Sequence, residues 1–105
     1  MKNCFFDIEA DNLLTEATKI WCIVAKIDDI YHIYINDDGD YSLPIHSKRY
    51  FNIYEYLSLL NQHVLIGHNI ISYDLPLLKK LYNFDYKIDP IKIVDTHIQS
   101  RLFYP

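Results

Sequence analysis

Apolar and polar positions change period several times along the chain, and each change marks an element. Residues 3 to 8, NCFFDI, 20 to 27, IWCIVAKI, and 30 to 35, IYHIYI, are β-branched and aromatic, which suits a pleated, half-buried surface. Asp28 and Asp29 make a tight turn between the second and third runs, and NDDGD at 36 to 40 ends the third with turn residues. A meander of three antiparallel strands is expected. Residues 41 to 51 contain Pro44 and no clean period, and read as a loop.

From Asn52 the period lengthens. Ile53, Tyr56, Leu57 and Leu60 fall at helical spacing behind Asn52, an N-cap candidate. HVLIGHN at 63 to 69 is a short apolar run closed by Gly67, the form of a buried parallel strand. SYDLPLLKKLY then places Leu75, Leu78 and Leu81 on one helical face, with Ser72 as candidate cap and Pro76 in a tolerant first turn. IKIVD at 91 to 95 reads as a further short strand, and DTHIQSRLFY as a helix starting at Asp95 or Thr96 and stopped by Pro105. The pattern predicts one α/β domain over residues 1–105. Its mixed sheet joins three antiparallel strands to parallel ones, with flanking helices and a truncated C-terminal end.

Composition narrows the class. A chain of 105 residues, half of them hydrophobic, can bury one core, and ten tyrosines with five phenylalanines exclude a disordered chain. A net charge of -4 argues against a sequence-blind nucleic-acid binder, which neutralises phosphates with clustered lysine and arginine. A metal-using nuclease escapes that objection, because its acids hold cations and the cations meet the phosphate. Cys4 and Cys22 form no CxxC pair, and MKNCFFDIEAD carries charges where a secretory signal has an apolar run. No apolar stretch approaches the ~20 residues that span a bilayer. A reduced, cytoplasmic protein without a membrane partner is expected.

The candidate chemistry lies in the acids. Asp7 and Glu9, spaced i and i+2, project together from the end of the first strand. Side by side they repel unless a cation lies between them, and Mg²⁺ or Mn²⁺ takes oxygen ligands of this kind. An isolated DxE is equally a strand fraying into solvent. Asp74 falls in the first turn of a helix after a parallel strand, where exposed amides favour an acid whatever its function. If the strand at 63 to 69 lies beside the first, Asp74 approaches Asp7 and Glu9 at the sheet edge where open α/β sheets place their sites.

Three stretches, DIEADNLLTEATKIWCIVAKI, LIGHNIISYDLPLLKKL and IVDTHIQSRLFYP, occur in an order that resembles the first blocks of a known family. This is the 3′ to 5′ proofreading exonuclease domain of phage family A DNA polymerases, in the DEDD or DnaQ-like superfamily with the ribonuclease H-like fold. The resemblance covers the chain apart from about residues 28 to 62. It implies that Asp7 and Glu9 match the first exonuclease motif and Asp74 the second, as ligands of two Mg²⁺ or Mn²⁺ ions that hydrolyse nucleotides from DNA 3′ ends. It further implies that Leu13 packs against the terminal base, with core burial the competing reading, and that Asn69 and Tyr73 line the nucleotide site, Tyr73 being core otherwise. Asp95 matches a structural position that caps the following helix, whereas His68, read from spacing alone, is a supporting or surface residue. His97 is a surface or supporting residue, since no HxxxH spacing is present.

The family's third motif, YxxxD or HxxxxD on a later helix, is absent. The only YxxxD, Tyr34 to Asp38, comes in the wrong order on a predicted hairpin. The expected partners are a single-stranded DNA 3′ end and another polypeptide carrying that motif or the polymerase domain, in a host cytoplasm if the source is a phage. Three readings follow: a split proofreading subunit, a free-standing exonuclease completed by dimerisation, and a catalytically silent regulator that binds a polymerase or a 3′ end.

Overall fold

Period-two alternation along the first strand sets the sheet. In the computed structural model, which describes residues 2–87 and 93–96, β1 (Asn3–Ala10) turns Cys4, Phe6 and Ile8 inward and Phe5, Asp7 and Glu9 outward. β2 (Ile20–Ile27) and β3 (Ile30–Ile35) follow antiparallel, joined at Asp28, whose φ of 54° lets the chain reverse within two residues. The predicted meander is present.

One strand was not predicted. β4 (Ser47–Tyr50) lies parallel to β3, inside the stretch read as a loop. SKRY has no apolar alternation, so its state is set from outside. Tyr31 donates its amide to the His46 carbonyl, and the Arg49 guanidinium donates to the carbonyls of Asp37 and Gly39. Tyr50 turns inward, its hydroxyl 2.7 Å from His32 Nδ1.

Helix α1 (Ile53–Leu60) follows its pattern closely. Asn52 Oδ1 accepts from the amides of Tyr54 (2.9 Å) and Glu55 (3.3 Å), and Ile53, Tyr56, Leu57 and Leu60 are the buried face. The fully buried Tyr56 reaches across the core to donate to the His32 carbonyl at 2.8 Å. β5 (Val64–Gly67) then enters the sheet parallel to β1. A Cβ on Gly67 would stand 2.7 Å from the Phe6 carbonyl oxygen, so only glycine allows this approach.

The next segment departs from expectation. Ser72 caps nothing: it lies within a single π turn (Ile70–Asp74), and helix α2 (Leu75–Tyr82) begins only at Leu75, with Pro76 in its first turn. Leu77 and Leu78 are the fully buried residues of α2, with Leu75 and Leu81 partly buried beside them. β6 (Val94–Asp95) pairs parallel to β5, as the run at 91 to 95 predicted. The helix expected over 95 to 104 lies outside the described residues beyond Thr96, as does His97.

The sheet order is β4-β3-β2-β1-β5-β6, so β1 lies between an antiparallel and a parallel neighbour. One face carries the core. On the other, Phe5, Val24, Lys26, Tyr31 and Ile66 line a recess that ends at Asp7 and His68. Among the described residues, no helix is long and apolar enough to cross a membrane.

Candidate functional site

The acids are placed by three elements meeting at one sheet end. Asp7 and Glu9 occupy outward positions of β1, opposite Val24 and Cys22, and the register shifts just after Glu9. Both are exposed. The half-buried Cys22 thiol registers their field: burial first, then Glu9 and Asp7, push its pKa up.

Asp74 is placed by the π turn. Asn69 takes the left-handed conformation at φ 62°, and its carbonyl accepts from the amides of Tyr73 (3.0 Å) and Asp74 (3.4 Å), the second bond closing the wide turn. One extra residue per turn rotates Asp74 to an inward position, where it is only 4% exposed. Burial, reinforced by Asp7 and then Asp95, raises its carboxyl from 3.8 to about 7. Among the described residues its Oδ2 is buried with no hydrogen-bond partner, and so is the Oδ1 of Asn69.

Asp95 holds the turn. Itself buried, it accepts from the Asn69 amide through Oδ1 (3.0 Å) and from the Ile71 amide through Oδ2 (2.9 Å). Its carboxylate thus bonds backwards to the π turn, and the helix it was expected to cap lies outside the described residues. Beside it, exposed His68 has Nδ1 3.0 Å from the Thr96 hydroxyl oxygen.

The remaining predicted residues flank this end. Leu13 is 75% exposed on the turn following β1, so core burial is not its role. Tyr73 is half-buried against the core and donates from its hydroxyl to the Asn12 carbonyl at 3.0 Å, tying the π turn to the Leu13 turn. Burial, then Asp74, Asp11 and Glu9, raise its phenol.

Two residues of this region escaped sequence reasoning. Asp11 accepts from the amides of Thr18 (3.0 Å) and Lys19 (3.2 Å) and from the Thr18 hydroxyl. That hydroxyl bond first, then the Lys19 amide, hold its carboxyl below the usual range. Lys80 reaches from α2 to three carbonyls of the same turn. Its partners lie 63 to 66 residues away in sequence, so no local pattern announces it.

Whether these residues suit a divalent cation turns on their donors. Carboxylate oxygens are the hard ligands that Mg²⁺ and Mn²⁺ take, and Asp74 Oδ2 is a buried donor lacking a partner. Among the described residues, no three His, Cys, Asp or Glu side chains already stand close enough to hold an ion. Asp7 and Glu9 are exposed. In donor chemistry the three carboxylates suit such an ion.

A mixed six-stranded sheet with two helices, its acids at the end of the central β1, defines an α/β fold consistent with the ribonuclease H-like class. No family model matches the sequence. The chain is similar to a DNA-directed DNA polymerase of Enterobacteria phage T3, 35% identical over 107 residues, an alignment that takes in 93% of the chain. It spans 14% of that polymerase's length.

Proposed function

We propose that the chain carries part of a metal-dependent 3′ to 5′ exonuclease site of the proofreading kind, acting on DNA 3′ ends. The observation that carries this reading is Asp74. A carboxyl buried by a π turn, raised to about 7 and left with an unpartnered oxygen, is a poor structural choice and a good cation ligand. The similarity to a phage DNA polymerase supports DNA as the substrate class of this reading. Asp7, Glu9 and Asp74 would hold Mg²⁺ or Mn²⁺, which when bound activates water and stabilises the leaving 3′ oxygen.

The chain's own residues supply the rest. Asp74 releases its proton near neutral pH as its oxygen takes a ligand, while Asp95 keeps the π turn from relaxing. Leu13 offers an exposed apolar surface to the terminal base. The fourth carboxylate comes from another polypeptide segment carrying the third motif, or from a second copy of this chain.

The test uses purified chain, 3′-labelled single-stranded DNA and Mn²⁺. Mn²⁺ binding followed by calorimetry is expected in the wild type and lost in Asp74→Asn. Release of labelled nucleotide is expected once the third motif is supplied, and lost in Asp7→Ala. A folded chain that neither binds Mn²⁺ nor releases nucleotide under either condition refutes the proposal. The silent regulator is the competing reading. It is distinguished by 3′-end binding without release under any condition.

A further inference from the structure

The turn that follows β1 is held far more tightly than its exposure requires. Asn12 Oδ1 accepts from the Leu13 amide at 2.8 Å, and the Leu13 carbonyl accepts from the amides of Glu16 (3.1 Å) and Ala17 (2.8 Å). Asp11 closes the turn on Thr18 and Lys19, Tyr73 holds the Asn12 carbonyl, and Ala17 is buried. Over this frame lies Lys80. Its ammonium donates to the carbonyls of Leu14 (2.9 Å), Thr15 (3.1 Å) and Ala17 (2.8 Å), using all three of its donors.

A lysine committed this way is unusual beside its neighbours. Lys79 pairs with Asp85 at 3.0 Å and Lys2 with Asp28 at 2.6 Å, as surface lysines ordinarily do. Lys80 instead fixes three peptide groups, those of Leu14, Thr15 and Ala17, just beyond Leu13, the one apolar side chain of the turn that contributes nothing to the core. An apolar group presented on a backbone already ordered has little conformational entropy left to lose on binding.

We infer that Lys80 is a positioning residue for DNA 3′-end binding, acting through Leu13 by pre-ordering the turn that presents it. The inference rests on the exonuclease reading above and adds to it a residue of α2 that is none of the acids and lies 63 to 66 residues from the carbonyls it holds. Direct attraction of the ammonium to phosphate makes a different prediction. It would add to Leu13 rather than act through it.

The experiment is a double-mutant cycle on the full chain. Binding of linear and circular single-stranded oligodeoxythymidylate is measured with Ca²⁺, so that no cleavage intervenes, for the wild type, Lys80→Met, Leu13→Ala and the double variant. Lys80→Met keeps the aliphatic stem and removes the donors. If it does not fold, Lys80→Gln takes its place. Preference for the linear form is expected to fall about tenfold in each single variant, or ~1.4 kcal/mol, and no further in the double. Hydrogen exchange at the amides of Leu13, Glu16 and Ala17 is expected to accelerate in Lys80→Met while β1 amides stay protected.

Multiplying losses in the double variant, an undiminished preference in Lys80→Met, or unchanged exchange in the turn overturns the inference while leaving the exonuclease reading intact. A wild type that does not distinguish linear from circular DNA removes that reading, and this inference with it.

Discussion

Replacing Asp74 with asparagine should make the chain more stable at alkaline pH and leave it unchanged in acid. In the unfolded chain this carboxyl ionises near 3.8, and in the folded chain near 7. Between those values the folded state binds the extra proton, so stability is complete below 3.8 and declines as pH rises toward 7. At about 1.4 kcal/mol per pH unit, the accumulated loss by pH 8 is on the order of 4 kcal/mol. That is a large part of the ~5–15 kcal/mol a chain this size commands. Asparagine keeps the shape and carries no charge, so Asp74→Asn should show no such decline. Urea unfolding at intervals from pH 3.5 to 8 measures it, the two midpoints agreeing below pH 3.8, already apart by ~1.6 kcal/mol at pH 5 and separating further until about pH 7. His32, whose pKa burial and Lys48 lower, gives a slope of opposite sign, but both proteins share it and it cancels in the difference. Mn²⁺ at a hundredfold excess over its Kd should return ~2.7 kcal/mol to the wild type at pH 8 and nothing to Asp74→Asn. Parallel pH profiles for the two proteins would refute the assignment of Asp74 as a buried, raised acid.

Asp95→Ala removes the acceptors of two part-buried amides and should cost ~3 kcal/mol in urea unfolding at pH 5, with faster exchange at Asn69 and Ile71 as its local signature. Asn52→Ala deletes the cap of α1 and should cost ~1 kcal/mol, read from the same transitions.

How much of this was legible depends on where each element's cause lies. α1 carries its reason within itself: an asparagine cap and four apolar residues at helical spacing became the observed cap and the four buried side chains. The alternation of β1 likewise told which face Asp7 and Glu9 share. β4 was illegible because SKRY forms a strand only by pairing with β3 and through Arg49's bonds to the loop before it. The π turn was illegible for the same kind of reason. Read locally, SYDLPLL is an ordinary helix start, yet the bonds that hold Asn69 and Ile71 come from Asp95, 26 and 24 residues later. Leu13 was left between wedge and core, and only its exposure in the fold removed the core.

The parts that resisted the sequence are also those in conflict with stability. A left-handed Asn69, a wide turn, a buried unpartnered Asp74 oxygen and a second buried acid at Asp95 are each unfavourable alone. They are coherent as one device: Asp95 satisfies the amides that the strained turn exposes, and the turn carries Asp74 inward. The charge of Asp95 then joins burial and Asp7 in keeping Asp74 protonated until something replaces the proton. A structural role for Asp74 alone would be met by asparagine or leucine at less cost, which is what weighs toward the proposed cation. Lys80 and Tyr73 extend the same logic to the neighbouring turn, where order concentrates around an exposed leucine rather than around the core.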